Sequence, residues 1–141
     1  MTLQEFLNLF VRSASLKLSF EVVEGDTQVE VNFTGEDRGI LLARSATVLQ
    51  ALESLCNRMF EQSGWRIVLD SDGYRSVRAE ELQLMAVTAA EEVKRLGTPF
   101  PLNPMSPEER RIVHLAVAGE DTILTESEGY GENRKVVIHP R

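Results

Sequence analysis

The chain has 141 residues, a net charge of −7 and a single cysteine, a size that suits one compact domain or two small ones. The acidic balance argues against indiscriminate binding to nucleic-acid phosphates, which draws on Lys and Arg. One cysteine excludes an internal disulfide and a multi-cysteine zinc site, and no apolar run is long enough to cross a membrane as a helix. The N-terminus, Met1 to Phe6, lacks a basic segment followed by an apolar one, so a cytoplasmic protein is expected. Residues 1–75 carry 7 basic and 11 acidic residues, and residues 76–141 carry 8 and 11. Neither half is a basic domain, so any nucleic-acid site has to be a local cluster on an acidic background.

Leu3, Phe6, Leu7, Phe10 and Val11 recur at helical spacing and predict an amphipathic helix over residues 2–13. Leu16, Leu18, Phe20 and Val22 alternate as in a half-buried strand, and Val29, Val31 and Phe33 alternate again after the Gly25-Asp26 turn. A short apolar run, Ile40-Leu41-Leu42, precedes a helix that Thr47 can cap and that buries Leu49, Leu52, Leu55, Cys56, Met59 and Phe60. Gly64 ends that helix, and Trp65, Ile67 and Leu69 predict a third strand with Trp65 in the core. Asp70 to Gly73 reads as a turn and domain boundary. A long helix over 76–96 follows, with Leu82, Met85, Ala86, Ala89, Val93 and Leu96 as its core stripe and Gly97 as its stop. Residues 98–107 hold four of the five prolines, so an ordered extended connection is expected there. A helix from Pro107 to about Ala118 and two strands, near 122–125 and 135–138, complete the chain.

The start of that last helix carries the chemistry. Ser106 is a natural N-cap, Pro107 suits the first helical position and Glu109 completes a capping box. Arg110 and His114 stand at i and i+4 and so share one helix face. Arg111 points about 100° away and either pairs with Glu108 or lines a second face. There is no Gly-x-x-x-x-Gly-Lys loop, no Gly-x-Gly-x-x-Gly and no His-Glu-x-x-His, so neither an enzyme nor a metal site is expected.

Arg110-x-x-x-His114 resembles the signature of the R-three-H domain, a module implicated in binding single-stranded nucleic acid. Around it, Leu102 to Pro107, Glu109 to His114, Thr125 to Gly129 and Arg134 to Ile138 are similar to that domain in the Jag (SpoIIIJ-associated) family. The first half resembles the same family's type II KH domain in its order of helix, two strands, short helix, helix and strand. Gly35 to Leu42 with Thr47 to Leu52, and Val68 to Asp70 with Gly73, Tyr74, Arg75 and Arg78, carry that likeness. The resemblance implies an α+β chain with a KH-like domain at 1–72 and an R-three-H domain at 76–141. It also implies a non-enzymatic RNA-binding function without cofactor, and pairing with itself or with a single-domain KH protein.

One departure matters. A KH domain grips nucleotides with a Gly-x-x-Gly loop, and the matching positions here are Ala43-Arg44-Ser45-Ala46. Each alanine puts a β-carbon where backbone would meet phosphate and disfavours positive φ. The helix beginning near Ala46 should be unharmed, because alanine is the best helix former. Either the loop still binds RNA through Arg44 and Ser45, or this half persists as a dimerisation or scaffold module. The resemblance therefore places nucleic-acid contacts at Arg110 and His114, with His114 also able to orient Arg110. Arg134 and Lys135 on the last strand, Arg111, Tyr130 on its glycine-flanked loop, Arg44 and Ser45 are the further candidates. Tyr130 either stacks on a base or packs back onto its own domain, the second being the ordinary behaviour of a loop aromatic. Arg75 and Arg78 are equally explained by pairing with Asp70 or Asp72, and His139 and Arg141 as solvated terminal residues.

Overall fold

The computed structural model describes residues 1–141, and the chain divides into two compact units, Met1–Arg75 and Ser76–Arg141. In the first unit the order is α1 (Leu3–Ser13), β1 (Ser19–Glu24), β2 (Gln28–Thr34), α2 (Arg38–Met59), a 3-10 turn (Glu61–Ser63) and β3 (Arg66–Ser71). α1 opens on a reciprocal capping box that the sequence reading missed. The Glu5 amide donates to Thr2 Oγ1 at 3.2 Å and the Thr2 amide donates to the Glu5 carboxylate at 3.3 Å, which satisfies two donors that a helix start leaves open. β1 starts three residues later than Leu16. The reason is that Ala14, Ser15 and Leu16 still donate to carbonyls of α1, with Ser15 left-handed at φ 55°.

β1 and β2 pair antiparallel, β2 and β3 pair parallel, and β2 lies between the other two. The sheet buries Val31, Phe33, Ile67 and Leu69 against Leu7 of α1 and Leu41, Leu49, Leu52 and Cys56 of α2. Burial, with Glu53 nearby, pushes the Cys56 thiol up to about 11, so it serves as a small apolar core residue rather than a nucleophile. Three expected core residues are not buried: Leu55, Met59 and Trp65. Trp65 is 37 % exposed because the strand begins after it, at Arg66, where the chain leaves the left-handed Gly64.

α2 is broken where the sequence changes character. Ala43 is extended and Arg44, Ser45 and Ala46 are all left-handed, with φ of 54°, 57° and 59°. Ala46 therefore does not begin the second helical segment, contrary to its propensity. It is fully buried, and helical geometry resumes only after it. Each left-handed non-glycine residue costs ~1–2 kcal/mol, and local bonds offset part of that. Thr47 Oγ1 donates to the Arg44 carbonyl at 2.6 Å and the Gln50 side-chain amide to the Ser45 carbonyl at 3.2 Å.

The free edge of β3 is closed by side chains. Asn57 donates to the Ile67 carbonyl and accepts from the Ile67 amide, both at 2.8 Å. Glu53 accepts from the Leu69 amide, Arg75 Nε donates to the Leu69 carbonyl, and Arg75 and Glu53 form an ion pair. Arg75 thus pairs with Glu53 while its amide donates to Asp70 Oδ1 at 3.2 Å, and Asp72 pairs with Arg38.

The second unit comprises most of α3 (Tyr74–Leu96), then β4 (Phe100–Pro101), α4 (Pro107–Ala116), β5 (Ile123–Glu128), a 3-10 turn (Gly131–Asn133) and β6 (Lys135–Pro140). Gly97, left-handed at φ 71°, donates back to the Val93 carbonyl and stops α3 as expected. β4 was not foreseen: two residues of the proline-rich connection pair with Ile138 and Val137. β6 is consequently central in an antiparallel sheet of order β4-β6-β5. Its partner β5 runs three residues further than expected, to Glu128. Leu82, Ala86, Ala89, Ala90 and Val93 of α3 pack with Val113 of α4 and with Val136 and Ile138 of β6. Leu96 is exposed rather than part of this stripe. His139 is not a loose terminal residue, since it pairs with Leu124 within the sheet.

Replacing Asn57 with alanine leaves the Ile67 amide and carbonyl without these partners. Urea denaturation should show a loss of ~1–3 kcal/mol, and light scattering should show greater self-association through the opened strand edge.

Candidate nucleic-acid interface

The local sequence builds the start of α4 much as its residues imply. The Glu109 amide donates to Ser106 Oγ at 3.2 Å, Pro107 occupies the first turn, and the Arg110 amide donates to the Ser106 carbonyl. The capping box is only half made. The Glu109 carboxylate, in a residue 8 % exposed, accepts from Arg78 Nε at 2.8 Å. Glu109 thus ties α4 to α3, and Arg78 finds its acid here rather than at Asp70 or Asp72. A charged pair at this depth needs its hydrogen bond to offset desolvation.

Met105 links the side chain of Arg110 to the backbone of Arg134. Arg110 Nε donates to the Met105 carbonyl at 3.2 Å, and the Met105 amide donates to the Arg134 carbonyl, also at 3.2 Å. The segment before α4 is stitched to β6 once more by the Leu102 amide on the Val136 carbonyl.

His114 is engaged by both ring nitrogens. Nδ1 lies 2.7 Å from Thr125 Oγ1 and Nε2 lies 3.0 Å from Ser127 Oγ. The two hydroxyls stand at i and i+2 on β5, so they project from one face of the sheet. Partial burial and then the Arg110 charge lower the His114 pKa from its ordinary value, favouring the neutral ring. A neutral imidazole donates from one nitrogen and accepts at the other, and hydroxyl partners serve both roles. Neither Thr125 nor Ser127 stood among the expected site residues, although their i, i+2 spacing on a predicted strand is a readable signal.

Arg134 Nη1 donates to the Gly129 carbonyl at 2.8 Å and so fixes the base of the loop carrying Tyr130. Gly129 has φ of +93°, and a β-carbon there would lie 3.0 Å from the Asn133 carbonyl oxygen, so the closure requires glycine. Tyr130 is 89 % exposed, which corrects the expectation that it packs back onto its domain. Lys135 is half-buried opposite Glu128, and Arg111 is exposed on the neighbouring face of α4. Arg44 and Ser45 are exposed on the left-handed turn of the first unit.

Ion pairs hold three of the other cations of the second unit. Arg78, Lys94 and Arg95 are held by Glu81 and Glu109, by Glu91 and Glu120, and by Glu92 respectively. Arg110, Arg111, Arg134 and Lys135 form no such pair. Arg110 and Arg134 both keep guanidinium donors of the kind that suits phosphate. Glu126, Glu128 and His139 also cluster, with candidate ligand atoms within 4.8 Å of one another. They alternate with Thr125 and Ser127 along β5 and so lie on the opposite face of the sheet. His139 Nε2 approaches the Glu126 carboxylate at 3.8 Å, as an ion pair would when the ring is protonated.

The family model of the R-three-H domain matches residues 80–140. Over 127 residues the chain is 34% identical to the RNA-binding protein KhpB of Clostridium symbiosum, covering 88% of this chain and 57% of that protein. It is 30% identical over 137 residues to RNA-binding protein KhpB of Lactiplantibacillus plantarum, covering 95% and 42%. It is also 30% identical over 138 residues to RNA-binding protein KhpB of Bacillus subtilis, covering 94% and 66%. The chain thus spans between 42% and 66% of the length of these relatives.

The lowered His114 pKa makes stability depend on pH with a definite sign. Between its folded value and the ordinary ~6.5, the unfolded chain binds more protons, so stability falls as pH drops through that window and levels off above it. Urea midpoints measured from pH 8 to pH 5 should fall more for the wild type than for His114→Gln.

Proposed function

We propose, on the premise that residues 80–140 form an R-three-H domain, that this chain is a non-enzymatic single-stranded RNA-binding protein of the Jag, or KhpB, type. The observation that carries this reading is the gathering of cations without internal acids, Arg110, Arg111, Arg134 and Lys135, around α4 and the start of β6 in a chain of net charge −7. Arg110 and Arg134 take phosphate, His114 belongs to the face of Arg110 and Arg111 extends it, while Lys135, paired with Glu128, stands on the other face of the sheet. Tyr130 offers an exposed ring for stacking on a base, an interaction worth about 1–3 kcal/mol and tolerant of sequence. Few cations on an acidic surface suit modest, salt-sensitive binding. No cofactor is needed. No helix is long and apolar enough to cross a membrane, and we place the protein in the cytoplasm.

The first unit, residues 1–72, we read as a type II KH domain. Its order of helix, two strands, interrupted helix and strand supports the assignment. The Gly-x-x-Gly position is held by Ala43-Arg44-Ser45-Ala46 in a left-handed turn, where Arg44 and Ser45 offer a weak secondary contact.

A second reading is a protein-interaction scaffold with little RNA affinity. It draws on an apolar stripe along α2, where Val48, Ala51, Leu55 and Met59 are exposed at helical spacing. That stripe would suit pairing with a second copy or with a single-domain KH protein.

Titration of labelled single-stranded RNA and DNA pools at several salt concentrations separates the two. The wild type should bind, with a salt slope that shrinks by about 0.7 for each phosphate contact removed. Arg110→Ala/His114→Ala should lose about tenfold or more in affinity, Arg44→Ala much less, and Ala43→Gly/Ala46→Gly should gain. Absence of salt-sensitive binding by the wild type would sink the RNA reading and leave the scaffold.

A further inference from the structure

We infer that Thr125 and Ser127 are positioning residues of this RNA-binding face, and that His114 acts through them to set Arg110 rather than by touching RNA itself. The inference rests on the reading above and deepens it. An imidazole has only two polar atoms, and both are spent inside the domain, at 2.7 Å on Thr125 and 3.0 Å on Ser127. A phosphate or base contact at either nitrogen would first have to break one of these bonds. Arg110, one turn earlier on the same helix face, spends only Nε, on Met105, and so keeps its terminal amino groups for a ligand.

The placement of the two hydroxyls makes them a clamp. Thr125 and Ser127 pair across the sheet with Ile138 and Val136, both fully buried. Their backbone is therefore fixed by the same packing that fixes β6. His114 joins that fixed strand to α4 at its open end, while Glu109 joins α4 to α3 through Arg78. With α4 anchored on both sides, Arg110 Nε is held on the Met105 carbonyl, and the Met105 amide is itself held on the Arg134 carbonyl. Valine at position 125 or alanine at position 127 preserves packing volume closely but leaves the ring without its partner. α4 then gains rotational freedom, and the Arg110 guanidinium loses its fixed position on Met105.

The test is binding of a mixed-sequence single-stranded RNA pool, followed over a salt series, with the folded fraction of each variant checked by thermal melting. Thr125→Val/Ser127→Ala should weaken binding about fivefold to tenfold, with the salt slope unchanged, since no phosphate contact is removed. Arg110→Ala should lower that slope by about 0.7. Adding the hydroxyl changes to His114→Ala should cause no further loss, because both act through one clamp, and Thr125→Ser/Ser127→Thr should restore binding. Nitrogen NMR of the His114 ring in the wild type, which needs no variant to fold, should report the same tautomer with and without RNA. Wild-type affinity in Thr125→Val/Ser127→Ala, losses that add to that of His114→Ala, or a ring nitrogen signal that changes on RNA binding would each overturn this inference alone. A wild type that binds no RNA would overturn the functional reading along with it.

Discussion

Burial of the inner face of β6 is the constraint on which the second unit depends. Val136 and Ile138 are completely buried against Leu82 and Ala86 of α3 and Val113 of α4, and each such side chain contributes on the order of 1.5–3 kcal/mol. β6 is held on both edges, by β4 and β5, so it cannot shift register without turning its apolar side chains to solvent. With the strand fixed, its start presents Arg134 and Lys135, and its neighbour β5 presents Thr125 and Ser127. α4 docks on this frame, and that docking brings His114 to Thr125 and Ser127.

The charge pattern follows a related logic. Lys94 and Arg95 sit in pairs with neighbouring carboxylates that are partly exposed, and such pairs add little stability. Their effect is to cancel charge at short range along α3. The same cancellation is missing at Arg110, Arg111, Arg134 and Lys135. Those four cations thus keep their charge within an acidic protein. The Debye length of ~8 Å at physiological salt limits how far the surrounding carboxylates act on them.

In the first unit, fold and grip come apart. The core closes around Leu7, Phe33, Leu41 and Leu69, and the edge of β3 is sealed by Asn57, Glu53 and Arg75, without any part played by the exposed residues of the loop at 43–46. That loop keeps a sharp left-handed turn although it has no glycine. Burial of Ala46 and the bonds from Thr47 and Gln50 hold it. The turn is thus set by packing and local hydrogen bonds rather than by glycine.

By itself the sequence determined what is decided within a turn or two of the chain. Apolar spacing set α1, α3 and α4, alternation set β2, Ser106 and Pro107 set the start of α4, and Gly97 set the end of α3, because propensity and capping act between near neighbours. It also placed Arg110 and His114 on one face, since i and i+4 coincide on any helix. Only the tertiary structure decided what those residues do. Glu109 turned from the expected capping box to Arg78, 31 positions away. His114 found Thr125 and Ser127, Met105 linked the Arg110 side chain to the Arg134 backbone, and two residues of a proline-rich connection became β4. Each of these is a pairing between distant side chains or strands. Many partners are chemically equivalent for such a pairing, and packing against the buried face of β6 selects among them.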